Sequence, residues 1–211
     1  MVRPKPLEPD VKAAKLEHVL GQCEDLFYTY GFKRVSMDEI VHHLGMSKKT
    51  LYQLVPTKDA LIEAFVMRQL EKRSSLLRSA IEESEDILAA SAMLLEHMQS
   101  DLLRVSAAMT LDLERYWPQL NARVEEYRQE DVEQYIERLA SDEHGCLRDD
   151  LHRGVLTHVI ETMVLRVLTP RLLDELNVSV SQAMRTVLSV MLGGILNEEG
   201  RQRLAAARRP S

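Results

Sequence analysis

Apolar residues recur at helical spacing along nearly the whole chain. Leu16, Leu20, Cys23, Phe27 and Tyr30 fall at steps of four, three, four and three, on one face of a helix. Gly31 stands where such a helix ends. Ser36 opens a second helix, with Glu39 three residues on as the other half of a capping box. Its apolar face is Met37, Ile40, Val41 and Leu44, and Gly45 ends it. Ser47 caps a very short third helix that turns Leu51 and Leu54 inward, and Pro56 closes it. Thr57 caps a long fourth helix, with Leu61, Ile62, Phe65 and Val66 on one side, running to about Ala80.

Longer helices with short connections follow. The pattern predicts them over Ile87–Leu103, Val105–Arg115 and from Pro118 to about Ala140, Pro118 suiting a first turn. Asp142–Asp150 reads as a loop. Leu151–Leu168 carries apolar residues on more than one face, and Thr169-Pro170 breaks it. Ser179 and Gln182 form a second capping box ahead of Met184, Val187, Leu188, Met191, Leu192, Ile195 and Leu196. The polar stretch from Glu198 reads as a frayed tail. No run alternates with period two for long enough to be a strand, so the class is all-α.

Composition narrows the picture. A chain of 211 residues, 45% hydrophobic, builds a core without disulfide or metal support. Its net charge of −6 argues against coating nucleic acid through bulk charge. That charge is uneven: residues 1–60 hold nine Lys/Arg and eight Asp/Glu, the remainder 18 and 25. All eight lysines lie at or before Lys72. The longest nearly apolar run, Val187 to Leu196, is half a membrane span, and the first residues lack a secretory apolar segment. Cys23 and Cys146 form no C-x-x-C pair, which reads as two ordinary thiols in a reducing cytosol.

The most specific signal lies in residues 36–54. Two short helices flank Leu44-Gly45-Met46-Ser47, the length and chemistry of a helix-turn-helix turn. With Leu51 and Leu54 turned inward, the second helix presents Ser47, Lys48, Lys49, Thr50, Tyr52 and Gln53, types that reach phosphates and base edges. From Ser47 to Lys58 there are three lysines and no acid. Alone, such a face also fits a solvated amphipathic helix. The order of parts adds weight: long helix, Gly-Phe, capped helix, Gly turn, basic short helix, Pro, and a capped helix starting Thr-Lys.

That ordered set resembles the tetracycline-repressor (TetR) family of one-component bacterial transcription regulators. The matching residues are Val19, Cys23, Leu26, Phe27, Gly31, Phe32, Ser36, Met37, Ile40, Leu44, Gly45, Ser47, Thr50, Leu51, Tyr52, Lys58, Leu61 and Ile62, within residues 11–62. Leu54 and Val55 depart from the family's commoner aromatic-rich ending of that helix. The resemblance implies a flexible tail over 1–10, a three-helix DNA-binding head over 11–58, a helical effector-binding and dimerisation body over 59–200, and a flexible tail over 201–211. By position, Lys48, Lys49, Thr50 and Gln53 would face bases, and Ser36, Ser47, Tyr52 and Lys58 would contact phosphates. Both adjacent lysines fit phosphates as well as bases, and the Tyr52 ring fits packing against the fourth helix.

For the body, the resemblance implies an effector pocket near 86–140 and 151–168. Met93, His97, Met98, Met109, Trp117, Tyr127 and Met163 are its candidate lining, methionine adapting to an apolar small molecule and His97 offering one polar contact. A methionine stripe at helical spacing fits core packing equally. The two helices 151–168 and 181–196, apolar on several faces, suit a four-helix bundle in a homodimer, the symmetry a palindromic double-stranded operator requires. Catalytic and metal readings are poor. Glu39 and His42 give one Glu-x-x-His where a di-iron bundle needs two, and the acids of 125–137 interleave with arginines as a solvated face. The expectation is a cytoplasmic homodimeric regulator, a repressor by preference, released by an effector and needing no cofactor. The alternative is a helical sensor of the same fold with no operator.

Overall fold

A computed structural model describes residues 9–84, 86–97, 106–141, 145–167 and 169–207. The chain divides into two compact units, Met1–Gln69 and Leu70–Ser211. Among the described residues, helices account for the regular structure, apart from one isolated bridge between Leu147 and Leu196.

The first unit holds α1 (Pro9–Gln22), α2 (Glu24–Arg34), α3 (Met37–His43), α4 (Lys48–Leu54) and the first part of α5 (Lys58–Glu83). Backbone bonds from Cys23 N to Val19 O and from Phe27 N to Cys23 O, both 3.0 Å, carry α1 into α2 with little interruption. The core here is aromatic. Phe27, Phe32 and Phe65 are fully buried and meet edge to face, with centroids 4.9–5.9 Å apart. Leu20, Cys23 and Phe27 face inward as their spacing predicts, but Tyr30 is 54% exposed. Tyr28 is buried instead, its ring 6.1 Å from Phe65. Burial on a second side of α2 brings in a residue that a one-face pattern leaves out. Arg68 ties the unit together by reaching Glu17 of α1 and Glu24 of α2.

The second unit continues α5 and adds α6 (Ile87–His97), α7 (Ala107–Tyr116), α8 (Pro118–Ala140), α9 (Arg153–Val167), α10 (Pro170–Leu176), α11 (Val180–Ile195) and α12 (Glu198–Ala207). Ser106, Thr169 and Ser179 cap α7, α10 and α11, Ser179 with Gln182 in a complete capping box. Pro118 and Pro170 occupy first turns, where their missing N–H costs nothing. The core draws Leu77, Ala80, Leu88, Val132, Ile136, Ile160, Leu188 and Leu192 from five helices. At its centre Ser91 and Tyr135 share a 2.7 Å hydrogen bond.

The C-terminal stretch corrects the sequence reading. Residues expected to fray from Glu198, and to form a free tail from 201, build α12 as far as Ala207, with Gly200 and Leu204 buried. The cause is tertiary. Arg203 forms an ion pair with Asp86 at the start of α6, and Arg201 donates to Leu196 O at 2.8 Å. Gly200 packs so tightly that a Cβ there would stand 2.6 Å from Cys146 O. A short polar helix with one buried leucine carries little periodic signal. Residues 1–8 and 208–211 of the two expected tails lie outside the described residues.

Candidate nucleic-acid interface

The turn between α3 and α4 is built from local bonds. Glu39 N donates to Ser36 Oγ at 3.2 Å, and Ser36 N donates to Glu39 Oε2 at 2.7 Å, closing the capping box. These bonds hold the Glu39 carboxyl below its usual range and commit it to the cap. At the other end, Gly45 N donates to His42 O and Met46 N to Val41 O, each at 3.2 Å. This reversal needs the left-handed backbone of Gly45, φ +59°, where a side chain is strained. Ser47 Oγ then accepts from Thr50 N at 3.1 Å and lies 2.8 Å from Thr50 Oγ1.

Burial sorts α4 into two faces. Leu51, Leu54 and Val55 are 4% exposed or less and anchor the helix to the unit's core. Lys48, Lys49, Tyr52 and Gln53 are exposed, and Thr50 is half-buried. Tyr52, 47% exposed, does not use its ring as a core residue. Lys48 Nζ lies 2.6 Å from Asp38 Oδ1, a contact that raises the lysine's pKa by hydrogen bond and charge. Lys58 Nζ donates to the carbonyl of Lys33 at 3.2 Å, which fixes its stem beside the end of α2.

The outward surface of α4 is therefore a compact set of donors on a helix about 10 Å long. Lysine amines and the Gln53 amide meet acceptors on phosphates and base edges, and Tyr52 can donate through its hydroxyl. Two partners escaped the sequence reading. Asp38 precedes Lys48 by ten residues across a turn, and the Lys33 carbonyl is a backbone atom, so neither shows in a spacing pattern.

In the second unit the described candidate effector residues are spread from α6 to α9. Met93 and Met163 are half-buried and pack against the same core. Met109 is buried on α7, at 4% exposure. Trp117 sits with its ring 6.0 Å from that of Tyr116, and Tyr127 is half-buried on α8. The side chain of His97, and all of Met98, lie outside the described residues. An open groove of about 380 Å³ runs between α5 and α8, lined by Arg78, Ile81, Glu82, Gln134, Glu137, Arg138 and Ser141. No helix among the described residues is long and apolar enough to cross a membrane.

Residues 22–65 match the family model described as bacterial regulatory proteins, tetR family. No curated protein matches the chain in sequence. Solved structures share its fold over most of its length. A gamma-butyrolactone receptor (ArpA-like protein) is 18% identical, covers 93% of this chain and 96% of its own, and has a TM-score of 0.63. The ketosteroid transcriptional regulator of Mycobacterium tuberculosis is 14% identical, with 93% and 100% covered and a TM-score of 0.57. The transcriptional regulator FadR from Bacillus subtilis, in complex with stearoyl-CoA, is 12% identical, with 85% and 98% covered and a TM-score of 0.58. At such identity the likeness establishes the fold, while the helix-turn-helix match carries the lineage. Residues 22–65 thus form a helix-turn-helix segment of the tetR family of bacterial regulatory proteins, on a chain whose fold those solved regulators share.

Proposed function

We propose that this protein is a cytoplasmic transcriptional repressor that binds a palindromic operator as a homodimer and leaves it when a small molecule occupies the body. The observation that carries the reading is the outward face of α4, where Lys49, Tyr52 and Gln53 stand exposed on a helix anchored by Leu51 and Leu54. In this reading Lys48, Lys49, Thr50 and Gln53 face bases, and Ser36, Ser47, Tyr52 and Lys58 hold phosphates. Lys48 is shared with Asp38 and Thr50 with the Ser47 cap, so Lys49 and Gln53 carry most of the base readout. No catalytic role is assigned to the chain.

The dimer is supported by surface left open on α9 and α11. Val155, Val159 and Val190 are 61%, 44% and 61% exposed. Gln182, Thr186, Ser189, Gly193 and Gly194 are exposed at helical spacing beside Val190. Small residues allow close approach of a second copy, and a two-fold pairing presents two recognition helices to half-sites one DNA turn apart.

The relatives whose names include a small molecule support an effector. Met93, His97, Met98, Met109, Trp117, Tyr127 and Met163 remain its candidate contacts, in the helices of 86–140 and 151–168. To release DNA the effector must favour the non-binding state by about 1–3 kcal/mol, a typical coupling energy. Selection of duplexes from a random pool tests the function. The proposal expects a two-fold palindrome whose half-site centres lie about 10 base pairs apart, or a multiple of that. Recovery of no common sequence contradicts it.

A further inference from the structure

The helix-turn-helix brings an acid onto a surface that otherwise offers donors. From Ser47 to Lys58 the chain holds no acid, yet the fold sets Asp38 of α3 against Lys48 of α4. Two acids stand in the first turn of α3, Asp38 and Glu39. The Glu39 carboxylate accepts from Ser36 N and Ser36 Oγ, both at 2.7 Å, and is taken up by the cap. Asp38 Oδ1 lies 2.6 Å from Lys48 Nζ instead, with side chains 67% and 61% exposed. That contact uses one of the three ammonium donors and one of about four acceptor sites on the carboxylate. Each group can keep the other and still take a further partner in place of water.

An acid at this place repels DNA phosphates. The donors open to it in the major groove are cytosine N4 and adenine N6. In either base pair that donor is bonded to an acceptor of the opposite base about 2.9 Å away. The spacing is close to the 2.6 Å between Lys48 Nζ and Asp38 Oδ1. What flanks the donor separates the two pairs. Adenine N6 lies between two acceptors, N7 and thymine O4, and the thymine methyl crowds a lysine at O4. Cytosine N4 ends its row, while guanine O6 and N7 stand together beside it as two acceptors for one lysine. A carboxylate at cytosine N4 therefore has one acceptor neighbour, and the lysine covers it.

We propose that Asp38 and Lys48 read one C·G pair in each half-site as a unit, Lys48 donating to guanine O6 and N7 and Asp38 accepting from the groove-side N4–H of cytosine. The inference rests on the operator-binding reading above and names a base pair in its target, in addition to the readout by Lys49 and Gln53. A lysine alone meets phosphate, adenine N7 or guanine alike. The acid beside it adds the demand for a donor next to the acceptor, and the lysine charge offsets the repulsion that the acid brings.

Selection of duplexes from a random pool, repeated with Asp38→Ala and Lys48→Ala, tests this. Wild type should select a palindrome with a C·G pair in each half-site whose preference both variants lose, by roughly tenfold per half-site. Preferences at the other positions should stay. Asp38→Ala should also bind random duplex more tightly, so the readout is the preference and not the affinity. Both side chains are exposed, and each variant should melt near wild type. A second measurement leaves the protein unaltered. N4-methylcytosine at that position keeps the base pairing and blocks the groove-side N–H. It should weaken wild-type binding by roughly tenfold per half-site and leave Asp38→Ala binding unchanged. If Asp38 only holds Lys48 or repels DNA, Asp38→Ala binds all duplexes more tightly by one factor and selects the same sequence. That result overturns the proposal. So does lost preference at an A·T pair, loss at different positions in the two variants, or an N4-methylcytosine duplex bound as tightly as the unmodified one. A palindrome selected identically by wild type and Asp38→Ala removes this inference alone. No common sequence for wild type removes the operator reading and this inference with it.

Discussion

Lys48 Nζ of α4 lies 2.6 Å from Asp38 Oδ1 of α3, so a candidate DNA-reading lysine is already engaged inside the helix-turn-helix. Both side chains are mostly exposed, and the pair is screened by solvent. Its effect falls on binding more than on stability, because Asp38 places a negative charge beside the surface proposed to meet DNA. Asp38→Asn should leave the Tm little changed and tighten binding to any duplex. The slope of log K against log salt should steepen by roughly one phosphate contact. Fluorescence anisotropy across a salt series checks both.

Two glycines test different constraints. Gly45 has a left-handed backbone and open space where a Cβ would go, so Gly45→Ala costs strain alone, about 1 kcal/mol. Gly200 meets the Cys146 carbonyl at 2.6 Å, so Gly200→Ala forces backbone apart and costs about 1–3 kcal/mol by overpacking. Chemical denaturation should rank Gly200→Ala as the worse. Limited proteolysis should find the end of α12 newly cleavable in Gly200→Ala only.

Alkaline pH should weaken the fold in a defined window. Burial pushes the Cys23 thiol from 9.0 up to about 12. It likewise pushes the Tyr135 hydroxyl from 10.0 up to about 12, against the opposing pull of Ser91. Both groups stay protonated in the folded state while the unfolded chain ionises. Stability is therefore full below pH 9 and falls as pH rises from about 9 to 12. Cys23→Ala should flatten the first part of that fall in denaturant titrations. In native protein at pH 8, iodoacetamide should leave Cys23 unlabelled.

Val190 tests the dimer. It is 61% exposed on α11, so Val190→Asp should leave helicity and Tm nearly intact. If α9 and α11 form the two-fold contact, the substitution buries an unpaired charge there and shifts the protein to monomer in sedimentation. Operator affinity should fall with it.

Much of the head was legible in the sequence because its signals are local. Ser36 with Glu39, Gly45 and Ser47 act over three or four residues, and each stands where its spacing places it. Tyr28 and α12 were not legible, because their burial comes from partners far along the chain. Phe65 lies beside Tyr28, while Cys146 and Asp86 pack against α12. The same difference separates the two candidate sites. The outward face of α4 follows from a seven-residue pattern. The groove between α5 and α8 needs two helices brought together, and its Glu137 and Arg138 read in sequence as part of a solvated face.

The central claim is sequence-specific docking through α4, and the most direct measurement is the affinity of wild type and Lys49→Ala for the selected palindrome and for random duplex across a salt series. The account predicts wild-type preference for the palindrome of at least about 10³-fold. Binding to both duplexes should weaken with salt. Lys49→Ala should narrow the preference by about tenfold or more, the loss of one base contact. Equal affinity for both duplexes, unchanged by the substitution, would contradict it.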